Sequence, residues 1–295
     1  TNNFDDQWRC GLVYRNQLAS VPLPYTTITA VFDKKIGRNI NPGGWATSFI
    51  FHYDKAGDTH LNWIELAANV SYGVRLGSSS VLSAGFQLGG IQRAFSTSGL
   101  SFDKQFIDDH YDPINPNGEN LTNKQKLAID LGAGVSFLQK ISKNIVFNIG
   151  ASVRHLNQAN INFFYLLTKK MPLRFNYQSS LNLGLTNNIE FQLNGLYSTQ
   201  EVQNELVAGG LIRYYLHSES MEGTSMGLGF HLRNQDAYIP FVELKWDAWL
   251  LSVSYDINNS KFIEATNRKG GPEIALFYAP KPKIKFNTFK PCPIF

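Results

Sequence analysis

In the stretch "YDINNS", residues 255 to 260, oxygen-bearing side chains recur at every second position: Asp256, Asn258 and Ser260. A twelve-residue calcium loop begins in this way, with ligands at positions 1, 3 and 5. The stretch then departs from that pattern. Its sixth position is Lys261, where a glycine should bend the chain, and its twelfth is Asn267, where a bidentate glutamate should close the site. The loop "FDKQFIDDHYDPINPNGEN" gathers Asp103, Asp108, Asp109 and Asp112, which offer oxygen ligands but equally suit a solvated turn. The six histidines, His52, His60, His110, His155, His217 and His231, stand apart, and none makes an HExxH or other paired-ligand spacing. No Ser, His and acid set has a spacing that brings a nucleophile, a base and an orienting group together. Neither metal, cofactor nor enzymatic chemistry is expected.

Composition narrows the class. With 43% hydrophobic and 13% aromatic residues, the 295-residue chain can bury a sizeable core and is not disordered. A net charge of +4, with the 27 Lys and Arg scattered, gives no basic stripe and argues against nucleic acid as a partner. No apolar run reaches the roughly 18 residues of a spanning helix. The mean hydropathy of −0.20 would suit a soluble protein. The polar opening "TNNFDDQWR" shows no signal peptide, although a numbering that starts at a mature or trimmed end would hide one.

The elements that would position any site follow from periodicity. In "KLAIDLGAGVSF", Leu127, Ile129, Leu131, Ala133, Val135 and Phe137 alternate with Ala128, Asp130, Gly132, Gly134 and Ser136. That is a strand with one apolar face and one small, polar face. The pattern recurs along the chain, giving about fourteen strands, many of the roughly 9 to 11 residues that a tilted membrane strand needs. The approximate spans are 7–17, 25–35, 44–54, 60–76, 80–95, 127–138, 144–156, 173–185, 189–198, 202–216, 223–233, 238–246, 249–256 and 271–279. A soluble sandwich turns the apolar face to its core, whereas an outer-membrane barrel turns it to lipid. Connection lengths favour the barrel. The long links 96–126, 157–172 and 257–270 fall on one side, whereas "GSS" at 77–79, "QKISK" at 139–143, "TNN" at 186–188 and a break near Asp247 fall on the other. Trp8, Trp45, Trp63, Trp246 and Trp249 lie toward strand ends, as interfacial girdles require.

The expected architecture is all-β: an antiparallel transmembrane barrel of about fourteen strands over 1–279, both termini periplasmic, with a Pro/Lys-rich tail at 280–295. Barrel closure sets the first strand, with Cys10, beside the last, before Cys292, so an oxidising periplasm permits a disulfide between them; two free thiols are the alternative. Asp130, Arg154, Glu190, His231, Arg233, Asp256 and Glu273 take the inward phase of their strands, where charges must pair or be hydrated. With Asp236, Tyr255 and Asn258 they form the candidate set for lumen packing or partner contact, as a salt-bridged plug, a channel lining or a peptide grip. Tyr255 itself continues the lipid-side face as a girdle aromatic.

The segments "YRNQLASVPLPYTTITAVFDKKIG", "FHYDKAGD", "LSAGFQLGGIQRAFSTSGLSFDKQF", "VRHLNQ", "GFHLRNQDAYIPFVEL", "VSYDINNSKF", "GGPEIALFY" and "CPIF" follow one another in an order that resembles the PorP/SprF family of the Bacteroidetes type IX secretion and gliding machinery. An "NPAYAG"-like segment that usually precedes the first strand is missing. The resemblance implies a non-enzymatic outer-membrane barrel. Its partners would be periplasmic ring and motor lipoproteins, the outer-membrane translocon, and secreted surface proteins such as adhesins. An outer-membrane channel for small solutes is the alternative function.

Overall fold

Alternation of apolar and small polar residues makes each strand two-faced, and a sheet of such strands must give its faces different surroundings. The computed structural model describes residues 7–17, 25–36, 44–57, 59–97, 100–107, 110–118, 124–163, 170–216, 223–260 and 267–280. The strands are β1 Trp8–Gln17, β2 Tyr25–Ile36, β3 Gly44–Ala56, β4 Leu61–Arg75, β5 Ser80–Ala94, β6 Phe106–Ile107, β7 His110–Tyr111, β8 Gln125–Ser142, β9 Ile145–Arg154, β10 Arg174–Gly184, β11 Ile189–Gln200, β12 Gln203–Tyr215, β13 Ser225–Arg233, β14 Ala237–Trp246, β15 Trp249–Asn258 and β16 Lys269–Tyr278. All but β6 and β7 form one closed antiparallel transmembrane barrel of fourteen strands, each paired with its neighbours in sequence. β1 closes the ring on β16, with Cys10 opposite Tyr278 and Arg15 opposite Glu273. β6 and β7 make a separate small hairpin.

The sequence spans agree with these strands to within a few residues, with one longer shift. "QKISK" reads as a turn, but β8 runs on to Ser142 and the reversal takes only residues 143–144. An irregularity between Lys140 and Ser142 breaks the alternation there, which is why the polar run imitates a loop. Links 95–124, 155–173 and 259–268 lie at one end, the loop end. Links 76–79, 143–144, 185–188 and 247–248 lie at the other, with 37–43 and 216–224 somewhat longer. Gln7 and Pro280, the first and last described residues, flank β1 and β16 at that second end.

The outward face is apolar, with Leu66, Leu88, Ile129, Val135, Leu228 and Phe230 all exposed. Their exposure is what a lipid-facing wall requires. At the terminus end, Trp8, Tyr278, Trp249 and Trp246 stand in a row of ring contacts, and Trp45 packs on Tyr72. Toward the loop end, Tyr177 stacks on Tyr197, and Phe230 on Tyr238. Trp63 corrects the expected girdle: it faces inward, against Ile91, Ile161 and Met171. These residues form a small apolar cluster inside the barrel, to which β4, β5 and the 155–173 link contribute. At the closing seam Gly271 is a requirement of close approach, because a Cβ there would overlap the Asn16 carbonyl oxygen.

Candidate functional site

Inside the barrel, charged side chains from the inward phase of the strands collect into three groups. The first lies at the loop end, on β4, β8 and β9. Asp130 is fully buried and accepts from Arg154 at 3.3 Å, while Arg154 also donates to Glu65 at 2.6 Å. His155 takes the left-handed conformation at φ 61°, and its Nδ1 lies 2.7 Å from the other oxygen of Asp130. Such backbone is uncommon for a residue with a Cβ. Gly132 faces Arg154 across the ladder and Gly89 faces Asp130, so the guanidinium has room to cross to β4. The small inward faces of β5, β8 and β9 therefore accommodate long side chains from their neighbours.

The second group lies at the loop end of β13 to β16 and joins them to β1. Arg15 of β1 reaches Asp256 of β15 at 2.5 Å and lies 3.6 Å from Glu273 of β16. Asp256 also accepts from Arg233 at 3.0 Å, and Arg233 pairs with Asp236 at 2.9 Å and with Glu205 at 3.3 Å. The third group sits toward the terminus end. Arg213 donates to Glu190 at 2.9 Å and to Glu243 at 2.8 Å, the latter across Gly227 of the intervening β13. The Tyr215 hydroxyl donates to Glu190 at 2.7 Å. Between the second and third groups, His231 stacks on Phe241 at 4.7 Å rather than joining either.

The candidate residues from the sequence thus divide. Asp130 and Arg154 come together, as do Arg233, Asp236, Asp256 and Glu273. Glu190 sits apart with Arg213, and His231 packs on an aromatic ring. Asn258 is buried beside Asp256's strand end, its side chain capping the Ser260 amide at 2.8 Å. Tyr255 is exposed on the outward face. Among the described residues Cys10 has no disulfide partner; it takes the outward phase of β1 between Trp8 and Leu12, and Cys292 lies outside the described residues. So do Asp108, Asp109 and Lys261, and among the described residues no group of His, Cys, Asp or Glu is arranged to hold a metal. Glu65, His155, Arg15, Arg213, Glu205 and Glu243 were not singled out in sequence. Their inward phase was the available signal for the strand residues, but alternation does not say which strands meet across the lumen.

Beside the first ionic group is a cavity of about 750 Å³, lined in part by Ile161 and Met171. Arg154, Glu65 and His155 form its floor, and Trp63, Arg93 and Arg174 part of its wall.

The sequence between residues 3 and 278 matches the PorP/SprF family of type IX secretion system membrane proteins. No curated protein is recognisably similar in sequence. Among solved structures, the P. putida toluene transporter TodX superposes with a TM-score of 0.54 at 8% identity, covering 94% of this chain and 90% of that one. The Ralstonia pickettii toluene transporter TbuX gives 0.50 at 8% identity over 94% and 90% of the two chains. The monoaromatic hydrocarbon channel CymD gives 0.50 at 7% identity over 95% and 90%. At such identities the likeness is one of barrel architecture alone.

Proposed function

The chain belongs to the PorP/SprF family of type IX secretion system membrane proteins, and from that premise we propose a non-enzymatic barrel of the outer membrane that binds machine components or secreted cargo at its loop end. The termini and the tail from residue 280 onward would then be periplasmic, facing ring and motor lipoproteins, while the loop end meets the translocon or a secreted adhesin.

One observation carries the reading: the loop-end hairpin leaves a group of apolar side chains uncovered. Phe106, Ile107 and Tyr111 are exposed on β6 and β7, and Ile114 just beyond them is 89% exposed. These residues stand on the 95–124 link and belong to no strand of the barrel. Exposed apolar side chains grouped in this way mark protein contacts more often than free surface. The three inward ionic groups support the same reading, since their charges are engaged with one another rather than converging on a reacting atom.

Crosslinking in native membranes followed by mild extraction tests this. Recovery of secretion components with the wild-type barrel, and its loss with Ile107→Asp combined with Ile114→Asp, is the expected result. A barrel recovered alone would refute it, and single-channel conductance in planar bilayers would then favour the small-solute channel. A Cys10 to Cys292 disulfide remains a proposal, and non-reducing mass mapping that finds both thiols free would remove it.

A further inference from the structure

The 750 Å³ cavity at the loop end has more cationic donors than its own carboxylates engage. Across the β5 and β8 ladder, Arg93 faces Lys126, and across β9 and β10, Arg154 faces Arg174. Like charges directly opposite one another are unfavourable unless an anion lies between or beside them. Glu65 and Asp130 are both taken by Arg154, with His155 sharing Asp130, and Asp54 accepts from the Thr27 hydroxyl at 2.6 Å. Among the described residues, the Arg93 guanidinium meets only the Phe163 ring, 5.1 Å from its centroid. Arg174 donates from Nε to the Ser198 hydroxyl at 2.9 Å and has no carboxylate partner among the described residues. Among the described residues, the Nε of Arg154 and the Oδ1 of Asn62 are buried without a hydrogen-bond partner. Each such orphan is unfavourable until something supplies the missing partner.

We infer that this cavity binds a small carboxylate ligand bearing a hydroxyl or N–H donor and one apolar face. The carboxylate would lie against the forked donors of Arg93 and Arg174, which suit a planar anion better than an ammonium does. The ligand's donor would meet Asn62 Oδ1, and its apolar face would lie on Trp63, Ile161 and Met171. The volume is that of a site for one small molecule. Two sources share this chemistry: a uronic-acid saccharide and an acidic dipeptide. The inference stands apart from cargo binding, because none of Phe106, Ile107, Tyr111 and Ile114 lines the cavity.

Binding is measured by calorimetry on the full chain in a neutral detergent, with digalacturonate and glutamyl-glutamate as probes and maltose as the uncharged control. At least one acid is expected to bind and maltose not, and whichever acid binds identifies the source. Arg93→Gln and Arg174→Gln should each weaken binding by about tenfold, the loss of one charge-assisted contact, whereas Lys143→Gln, in a turn at the opposite end, should leave it unchanged. If the variants fail to assemble, phenylglyoxal modification of the wild-type barrel serves instead, with the bound acid expected to protect Arg93 and Arg174. Absence of binding by both acids, equal binding of maltose, or failure of both the substitutions and the protection to register would overturn the inference.

Discussion

At the scale of single residues, the interior is held by charges that have few alternatives to one another. Asp130 has no exposure to solvent, and its two oxygens are divided between Arg154 and His155. Removing Asp130 leaves the buried His155 Nδ1 without its partner and Arg154 with Glu65 alone, and a buried polar group left unsatisfied costs its desolvation. Asp130→Ala is therefore expected to lower stability by about 1–3 kcal/mol, read from urea unfolding of the barrel in lipid vesicles. Tyr215→Phe keeps the ring and deletes only the hydroxyl bond to Glu190, so about 2 kcal/mol is expected in the same measurement. Asp130 was legible in "KLAIDLG" because it takes the inward phase between Ile129 and Leu131. The rest of its group was not: Glu65, which shares Arg154 with it, lies on β4 far earlier in the chain, and His155 depends on a left-handed turn that no residue-type rule announces. Trp63 shows the opposite limit. Its position near a strand end suggested a girdle, yet its phase, shared with Glu65, turns it inward onto Ile91.

At the scale of elements, the strands were the readable part, because period two needs only the two faces to meet different surroundings. Links have no such period, and the 155–173 link is where the sequence offered least. Its described ends meet inside the barrel: the Met171 amide donates to the Ala159 carbonyl at 3.0 Å, and Ile161 and Met171 pack on Ile91 and Trp63. A segment held by a few apolar contacts opens locally far more readily than the barrel wall. Ile161→Asp places a charge in that cluster, and hydrogen exchange at the Met171 amide should accelerate by about tenfold or more while the wall amides of β5 and β8 keep their protection. Equal acceleration in the wall would mean that the link and the barrel unfold together.

The whole molecule depends on a contact between the two ends of its described chain. Arg15 and Asp256 are 241 residues apart, and only closure of the ring brings them together. The seam is a short ladder, from Cys10–Tyr278 to Arg15–Glu273, and Gly271 lets β1 approach to a distance that no side chain permits. Above the last pair of that ladder, Arg15 spans from β1 past β16 to β15, and Asp256 hands the connection on to Arg233 of β13. Closure is thus fastened by backbone pairing below and by one guanidinium above. No local pattern could have revealed this, since "YRNQ" and "YDINNS" each read as an ordinary strand end. If the fastening matters to the ring, Arg15→Gln should reduce the temperature at which the folded barrel loses its compact mobility in detergent gels, by several degrees for a loss of about 1–3 kcal/mol. Gly271→Ala should act earlier, in assembly, leaving little folded barrel to melt. Combining Arg15→Gln with Asp256→Asn separates the two explanations for an Arg15 effect: a double variant no less stable than the singles shows that the charges act as a pair across the seam, whereas additive losses would assign the effect to each strand on its own.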